Sequence, residues 1–311
     1  MIMHRGEQTL AIRALKSAAP YIRMYKGKTF VVKAGGGVFG DPELTRVLIE
    51  QIAILHYFGV RVVMVHGGGP QTTEISDALG VPTRMVEGRR VTDEKAIDVT
   101  SMVLNGLINT RILGICRDLN IDAVGISGVD AGLVRAHRRA PVKVASGETV
   151  DYGFVGDIDG IDTNVIRKLL DNGLMPVVSP LSADEKGVLL NINADTVAAA
   201  LGAALGAEKL ILCTGAPGIL ERVEDPTSLI SYTDLRGLKR LREEGRIVEG
   251  MLPKAKAIEN AIHGGVRRVH VVSYKSPEGI LGEVFTNEGT GTLIVADVNA
   301  LSPAEQQTSG A

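Results

Sequence analysis

The stretch Val62-Val63-Met64-Val65-His66-Gly67-Gly68-Gly69-Pro70-Gln71 decides how the rest of the chain reads. Its apolar, mostly β-branched run predicts a strand covered on both faces, as in a parallel sheet. Three glycines follow, and then a helix start. Without Cβ atoms they let main-chain N–H groups approach a ligand, and the helix N-terminus adds partial positive charge. Anion binding is the chemistry this combination offers. The stretch is not a P-loop, because no Gly-Lys-Ser/Thr follows, and it is not a G-x-G-x-x-G dinucleotide fingerprint. A ligand-free strand–helix turn would use the same residues, so the neighbouring segments have to decide.

Upstream, Thr29-Phe30-Val31-Val32-Lys33 predicts another buried strand, ending in Ala34-Gly35-Gly36-Gly37. Lysine is rarely buried without a partner, so Lys33 points to an anion. Asp41-Pro42-Glu43 predicts a helix start with Asp41 as N-cap, and Gly59 predicts its end. Two strand–glycine–helix units in succession predict a parallel sheet with right-handed crossovers. Residues 7–25 carry an apolar stripe at Ala11, Leu15, Ala18, Ile22 and Tyr25, with Pro20 expected to kink or end that helix. The stripe needs something to bury against, on its own domain or on another subunit.

Composition narrows the function. Among 311 residues, 45% hydrophobic and 23% charged fits a soluble globular protein, and the net charge of −2 gives no global case for nucleic acid or an anionic membrane. Cys116 and Cys213 lie in apolar runs and are expected as buried free thiols. No histidine spacing marks a metal site. Apolar runs are too short to span a bilayer and no signal-peptide pattern opens the chain, so a cytoplasmic location is expected.

Downstream, Thr92 is the expected N-cap of a long helix over residues 93–119, apolar on more than one face and so central in the fold or at a subunit interface, with the interface favoured. Residues 121–160 read as β-rich, with strands at 123–126, 133–136 and 152–156. The basic run Arg135, His137, Arg138, Arg139 is expected on a solvated hairpin. A polar turn at 182–187 is the candidate domain boundary. Beyond it come an alanine-rich helix after Asp195, the strand Lys209-Leu210-Ile211-Leu212-Cys213-Thr214 and the turn Gly215-Ala216-Pro217-Gly218. Lys254 falls in the first turn of a helix, where a cation opposes the dipole; a specific anion would explain it.

Lys33-x-Gly35-Gly36, His66-Gly67-Gly68-Gly69-Pro70, Arg90-Val91-Thr92, Asn191-x-Asn193-Ala194-Asp195 and Gly250-Met251-x-x-Lys254 occur in one order. In that order, and with Tyr152-Gly153-Phe154-Val155-Gly156-Asp157, they resemble the amino-acid kinase family, over roughly Tyr21 to Ile294. The resemblance is to its members that phosphorylate N-acetyl-L-glutamate in arginine biosynthesis. It implies an α/β fold: a three-layer αβα sandwich with a mainly parallel central sheet, plus an N-terminal helix. The implied organisation is an interlacing helix (1–26), an amino-acid-substrate lobe (27–186), an ATP-binding lobe (187–297) and a disordered tail (298–311).

The resemblance also implies site roles. Lys33 and Lys254 would stabilise the transferring phosphoryl group and Asp195 would orient them. Gly68, Gly69, Arg90 and Asn191 would hold the amino-acid substrate. Gly35, Gly36, Thr214, Gly215, Gly218, Gly250 and Met251 would hold ATP, with Mg²⁺ entering on the nucleotide and no dedicated metal site. Lys209, His270, Glu283 and Gly289 resemble the effector site of arginine-sensitive members, implying inhibition by L-arginine and homodimers joined into a homohexamer. The chain departs from the family at Gly215, where Asp is usual, and at Ala34, Glu249, Ser273-Tyr274 and Thr290. Gly215→Asp is therefore expected to tighten ATP use or leave it unchanged, unless the turn needs a positive φ. Two alternatives stay open: a kinase for acetylated or carrier-linked aminoadipate, and a nucleotide-binding regulatory subunit with weakened turnover.

Overall fold

The computed structural model describes residues 5–222, 224–225, 227–247, 251–286 and 289–300. One eight-stranded sheet runs in the order Tyr232–Asp234, Thr292–Val295, Arg268–Ser273, Lys209–Thr214, Thr29–Ala34, Arg61–His66, Met175–Ser179, Ala123–Ser127. Neighbours are parallel except Arg268–Ser273 against Thr292–Val295. Alternation along the strands builds the two faces. Val31, Val63, Val65, Leu210 and Leu212 point into one core layer, closed by the helices Ala194–Leu205 and Leu252–His263. Phe30, Val32, Val62, Met64 and Ile211 point into the other, closed by Pro42–Tyr57 and the helical run from Glu94 to Asp118. The result is an αβα sandwich with a mainly parallel sheet, as the sequence predicts. The pairing Ala34↔Cys213 brings strands from both assigned lobes side by side.

Several sequence expectations change. The Arg5–Tyr25 helix continues through Pro20 rather than ending there. Asp93, not Thr92, caps the long helix, because its carboxylate accepts from the Ala96 N–H at 2.8 Å. That helix is three pieces, Glu94–Ser101, a π-helical Met102–Asn109 and Thr110–Asp118. As one 25-residue element it is long and apolar enough to cross a membrane, contrary to the run-length argument. It lies instead in the sandwich, with Val99, Leu104, Ile108 and Ile112 buried against the sheet. The strand read at 152–156 begins only at Gly156 and runs to Ile161, since Gly153 takes a positive φ that interrupts extension. Val298–Ala300 forms a short 3-10 turn, so the tail's first residues are ordered; residues 301–311 lie outside the described ones. Both cysteines are buried and free.

Candidate active site

Three charged side chains meet at the C-terminal edge of the sheet. Lys33 is near the end of Thr29–Ala34, Asp195 is in the first turn of Ala194–Leu205 and Lys254 is in the first turn of Leu252–His263. Lys33 Nζ stands 2.8 Å and Lys254 Nζ 2.9 Å from the same oxygen, Asp195 Oδ1. Their residues are only 6%, 7% and 8% exposed, for Lys33, Lys254 and Asp195. Burial alone would raise the Asp195 pKa; the two ammonium groups outweigh it and hold the carboxyl down at about 2. Burial, reinforced by Lys33, draws Lys254 below its ordinary value. The Asn193 side chain accepts the N–H groups of Asp195 and Thr196, so a helix cap fixes where the carboxylate sits. Two cations share one anion, an imbalance that favours a second anion.

A cavity of about 490 Å³ opens beside the cluster, with Lys33, Asp195, Gly68, Gly69, Arg90 and Asn191 in its wall. Glycine at 68 is closely packed: a Cβ would fall 2.7 Å from Leu104 Cδ2 and also meet the end of the Ile108 side chain, both on the π-helical segment, so those side chains would have to shift. Arg90 is tied to the same turn, donating to Thr73 Oγ1 at 2.6 Å, Thr83 Oγ1 at 2.8 Å and the Gly69 carbonyl at 3.2 Å. Asn191 donates to Thr92 Oγ1 at 3.3 Å. The glycine turns after the first two strands are linked by Gln71, whose amide donates to the Gly36 carbonyl at 2.8 Å.

The nucleotide candidates divide between the cavity and the far side of Lys33. Gly36 lines the cavity, and a Cβ at Gly35 would lie 3.8 Å from Lys33 Nζ. Thr214, Gly215 and Gly218 lie on the other side of Lys33, after the Lys209–Thr214 strand, and do not line the cavity. Met251 precedes the helix that carries Lys254, and Gly250 lies outside the described residues. Lys209, His270 and Glu283 form a separate buried cluster, with Gly289 beside the Glu283 carboxylate. Among the described residues no group of three or more His, Cys, Asp or Glu could hold a metal. Of the two acids in the cavity wall, Asp195 is paired with two lysines and Asp157 with Arg139.

Two contributors escaped the sequence reading. Arg139, expected on a solvated hairpin, lines the cavity and pairs with Asp157 at 2.5 Å. Cross-strand register between Val134–Arg138 and Gly156–Ile161 places that pair, and no local pattern encodes it. His66 is fully buried behind the glycine turn. Asn109 donates to its Nε2 at 3.1 Å and to the Val177 carbonyl at 3.0 Å, which leaves Nδ1–H for the Gly67 carbonyl. Burial lowers its pKa to about 4, so the imidazole is neutral, and both ring nitrogens are taken up by hydrogen bonds that support the turn.

A parallel sheet with paired lysines on one carboxylate, beside a glycine turn that faces a cavity lined by Arg90, Arg139 and Asn191, suits an enzyme that brings anions together. Residues 28–273 match the model of the amino acid kinase family. The chain is 48% identical over 296 residues to acetylglutamate kinase from Myxococcus xanthus, covering 94% of this chain and 96% of the relative. It is 39% identical to the chloroplastic acetylglutamate kinase of Arabidopsis thaliana, covering 91% and 80%. Among solved structures, an N-acetylglutamate synthase from Neisseria gonorrhoeae superposes with a TM-score of 0.80 at 26% identity, over 92% of this chain and 64% of that one. Carbamate kinase from Giardia lamblia shares the fold, with a TM-score of 0.63 at 19% identity over 87% and 99%. The chain belongs to the amino acid kinase family, and within it to the acetylglutamate kinases.

Proposed function

We propose that the chain transfers the γ-phosphoryl group of ATP to the side-chain carboxylate of N-acetyl-L-glutamate, giving the acyl phosphate of arginine biosynthesis. A carboxylate oxygen attacks the γ-phosphorus, the bond to the bridging oxygen breaks, and ADP leaves with that electron pair. The acceptor is already ionised near neutral pH, since a glutamate side chain titrates at about 4.3, so no general base is needed. The obstacle is repulsion between two anions, with charge spread over the transferring group in a loose transition state. The observation that carries the reading is the Lys33–Asp195–Lys254 cluster, in which two cations share one carboxylate and Lys33 and Asp195 line the cavity.

In this reading Lys33 and Lys254 stabilise the transferring group and Asp195 orients them. Gly68 and Gly69 offer main-chain N–H groups, Arg90 takes the α-carboxylate and Asn191 hydrogen-bonds the acceptor. Gly35, Gly36, Thr214, Gly215, Gly218, Gly250 and Met251 hold ATP. Magnesium arrives on the nucleotide's phosphates. The enzyme acts in the cytoplasm. L-Arginine inhibits it at Lys209, His270, Glu283 and Gly289, and the Arg5–Tyr25 helices join homodimers into a homohexamer. Two features support this last point. Ile12, Leu15 and Met24 expose more than half their surface on the Arg5–Tyr25 helix. The helix also ends with the Tyr25 ring 5.2 Å from Lys209 Nζ, so it is joined to the effector cluster.

The test is ATP with a panel of acylated acidic amino acids, trapping acyl phosphate with hydroxylamine. N-acetylglutamate should give product. Product with N-acetyl-aminoadipate and none with N-acetylglutamate would overturn the acceptor; ATP binding without turnover on any member would favour a regulatory subunit.

A further inference from the structure

The transfer cluster has two sides along the sheet. Toward Arg61–His66 lie the glycine turn and the cavity; toward Lys209–Thr214 and Arg268–Ser273 lies the opposite flank of Lys33. Attacking and leaving oxygens lie roughly in line across a transferred phosphoryl group, so an acceptor in the cavity leaves the second flank for the donor.

On that flank stands Tyr274, which the sequence marks only as a departure from the family and to which no role is assigned. Tyr274 directly follows Arg268–Ser273, and its main-chain N–H donates to the Thr214 carbonyl at 2.9 Å. Its ring packs against the core layer that holds Val38 and Val272. Its hydroxyl reaches over glycines from two different strand ends. A Cβ at Gly37 would lie 2.6 Å from Oη, and a Cβ at Gly215 would lie 3.1 Å from it. The hydroxyl makes no hydrogen bond with the described residues. Gly215 does not adopt a positive φ, so its backbone does not demand glycine. The tyrosine takes the room that a side chain at 215 would need.

We propose that Tyr274 is a nucleotide-binding residue whose hydroxyl donates to a phosphate oxygen of ATP between Gly37 and Gly215. The proposal rests on the ATP-dependent reading above and adds a donor that reading lacks. A ring anchored in the core presents its hydroxyl at little entropic cost. A hydrogen bond to a charged oxygen is among the stronger kinds, so its loss should be plain in nucleotide affinity.

The test uses the full chain with Tyr274→Phe, which keeps the ring and removes only the hydroxyl. The ATP Kd from calorimetry and the ATP KM should each rise about tenfold or more. The KM for N-acetylglutamate and the unfolding midpoint should not change, whereas a merely structural role would move them. Unchanged or tighter ATP binding overturns the proposal. Gly215→Asp, made alone, should weaken ATP binding by crowding Oη, which reverses the expectation drawn from sequence. Its cost should shrink in the Tyr274→Phe background; equal cost in both backgrounds also overturns the shared-space argument. Wild-type protein that bound no ATP would overturn this proposal and the kinase reading together, whereas normal wild-type binding with a silent Tyr274→Phe removes only this one.

Discussion

Two buried charge clusters sit at opposite edges of one sheet, and they are built on different balances. At the C-terminal edge Lys33 and Lys254 share the single Asp195 carboxylate. Toward the other edge Lys209 opens its strand and donates to His270 Nε2 at 2.9 Å, and His270 Nδ1 lies 2.6 Å from Glu283 Oε1. Burial and Lys209 push the His270 pKa down to about 4, so the imidazole is neutral, and among the described residues it bridges the Lys209 cation and the Glu283 anion. Glu283 is satisfied further by the N–H groups of Thr290 and Gly291, at 2.6 and 2.9 Å. A cluster with excess charge beside a cavity is poised to take an anion. A balanced cluster with its hydrogen bonds made holds elements together, here the end of the first helix, two strands, the Gly279–Phe285 helix and the turn at 289–291. Similar residues, equally buried, thus carry different consequences.

The largest effect should follow from removing the shared anion. Asp195→Ala leaves two buried lysines without a counterion, so the loss in stability should be about 3–5 kcal/mol, with turnover below detection. Denaturant unfolding and the hydroxamate assay check both. A stable, active Asp195→Ala protein would mean the cluster is not the transfer site. Next in size, Lys254→Ala should lower kcat by roughly 100-fold or more while moving the N-acetylglutamate KM little, because its charge matters most in the transition state. Arg90→Ala should do the reverse and act chiefly on that KM. Steady-state kinetics of the two variants would expose a wrong assignment.

A smaller effect is expected at the balanced cluster. Glu283→Gln keeps the shape, removes the charge and weakens the bonds to His270, Thr290 and Gly291. Stability should fall by about 1–3 kcal/mol, with kcat in the absence of arginine within about twofold of the parent. Arginine inhibition should be lost. A Glu283→Gln enzyme still inhibited at the parent concentration would separate this cluster from the effector site.

Much of this was legible in the chain, for reasons that differ by element. The strands Thr29–Ala34 and Arg61–His66 announce themselves as apolar runs closed by glycine. Lys33 and Lys254 are legible because each violates a local rule, one by ending a buried strand and the other by opposing a helix dipole. Arg139 and Tyr274 obey local rules, and only strand register and turn packing bring them to the site. The π-helical segment over Met102–Asn109 was equally hidden. Its apolar pattern reads as ordinary helix, while the fit of Leu104 and Ile108 against Gly68 and of Asn109 against His66 belongs to tertiary structure.

The smallest effect concerns acid, and it separates the clusters by pH window. His66 and His270 are both held at about 4, against an ordinary value of 6.5, chiefly by burial. Between those values the unfolded chain binds protons that the native chain excludes, so stability should fall as pH drops from about 6.5 to about 4. Above that window both imidazoles are neutral in either state and contribute no slope. Asp195 and Glu283 are held at about 2, so their contribution persists until pH falls below about 4. Each histidine adds at most about 1.4 kcal/mol per pH unit. His270→Gln retains an acceptor for Lys209 and a donor for Glu283 but cannot titrate, so it should flatten part of the slope between pH 6.5 and 4.5. Asp195→Asn should leave that slope intact, because its carboxylate titrates below the window. Unfolding free energies measured by denaturant titration across pH 4.5–7.5 decide the matter. A parent protein whose stability is flat from pH 7 to 5 would show that neither histidine is excluded from protonation in the fold.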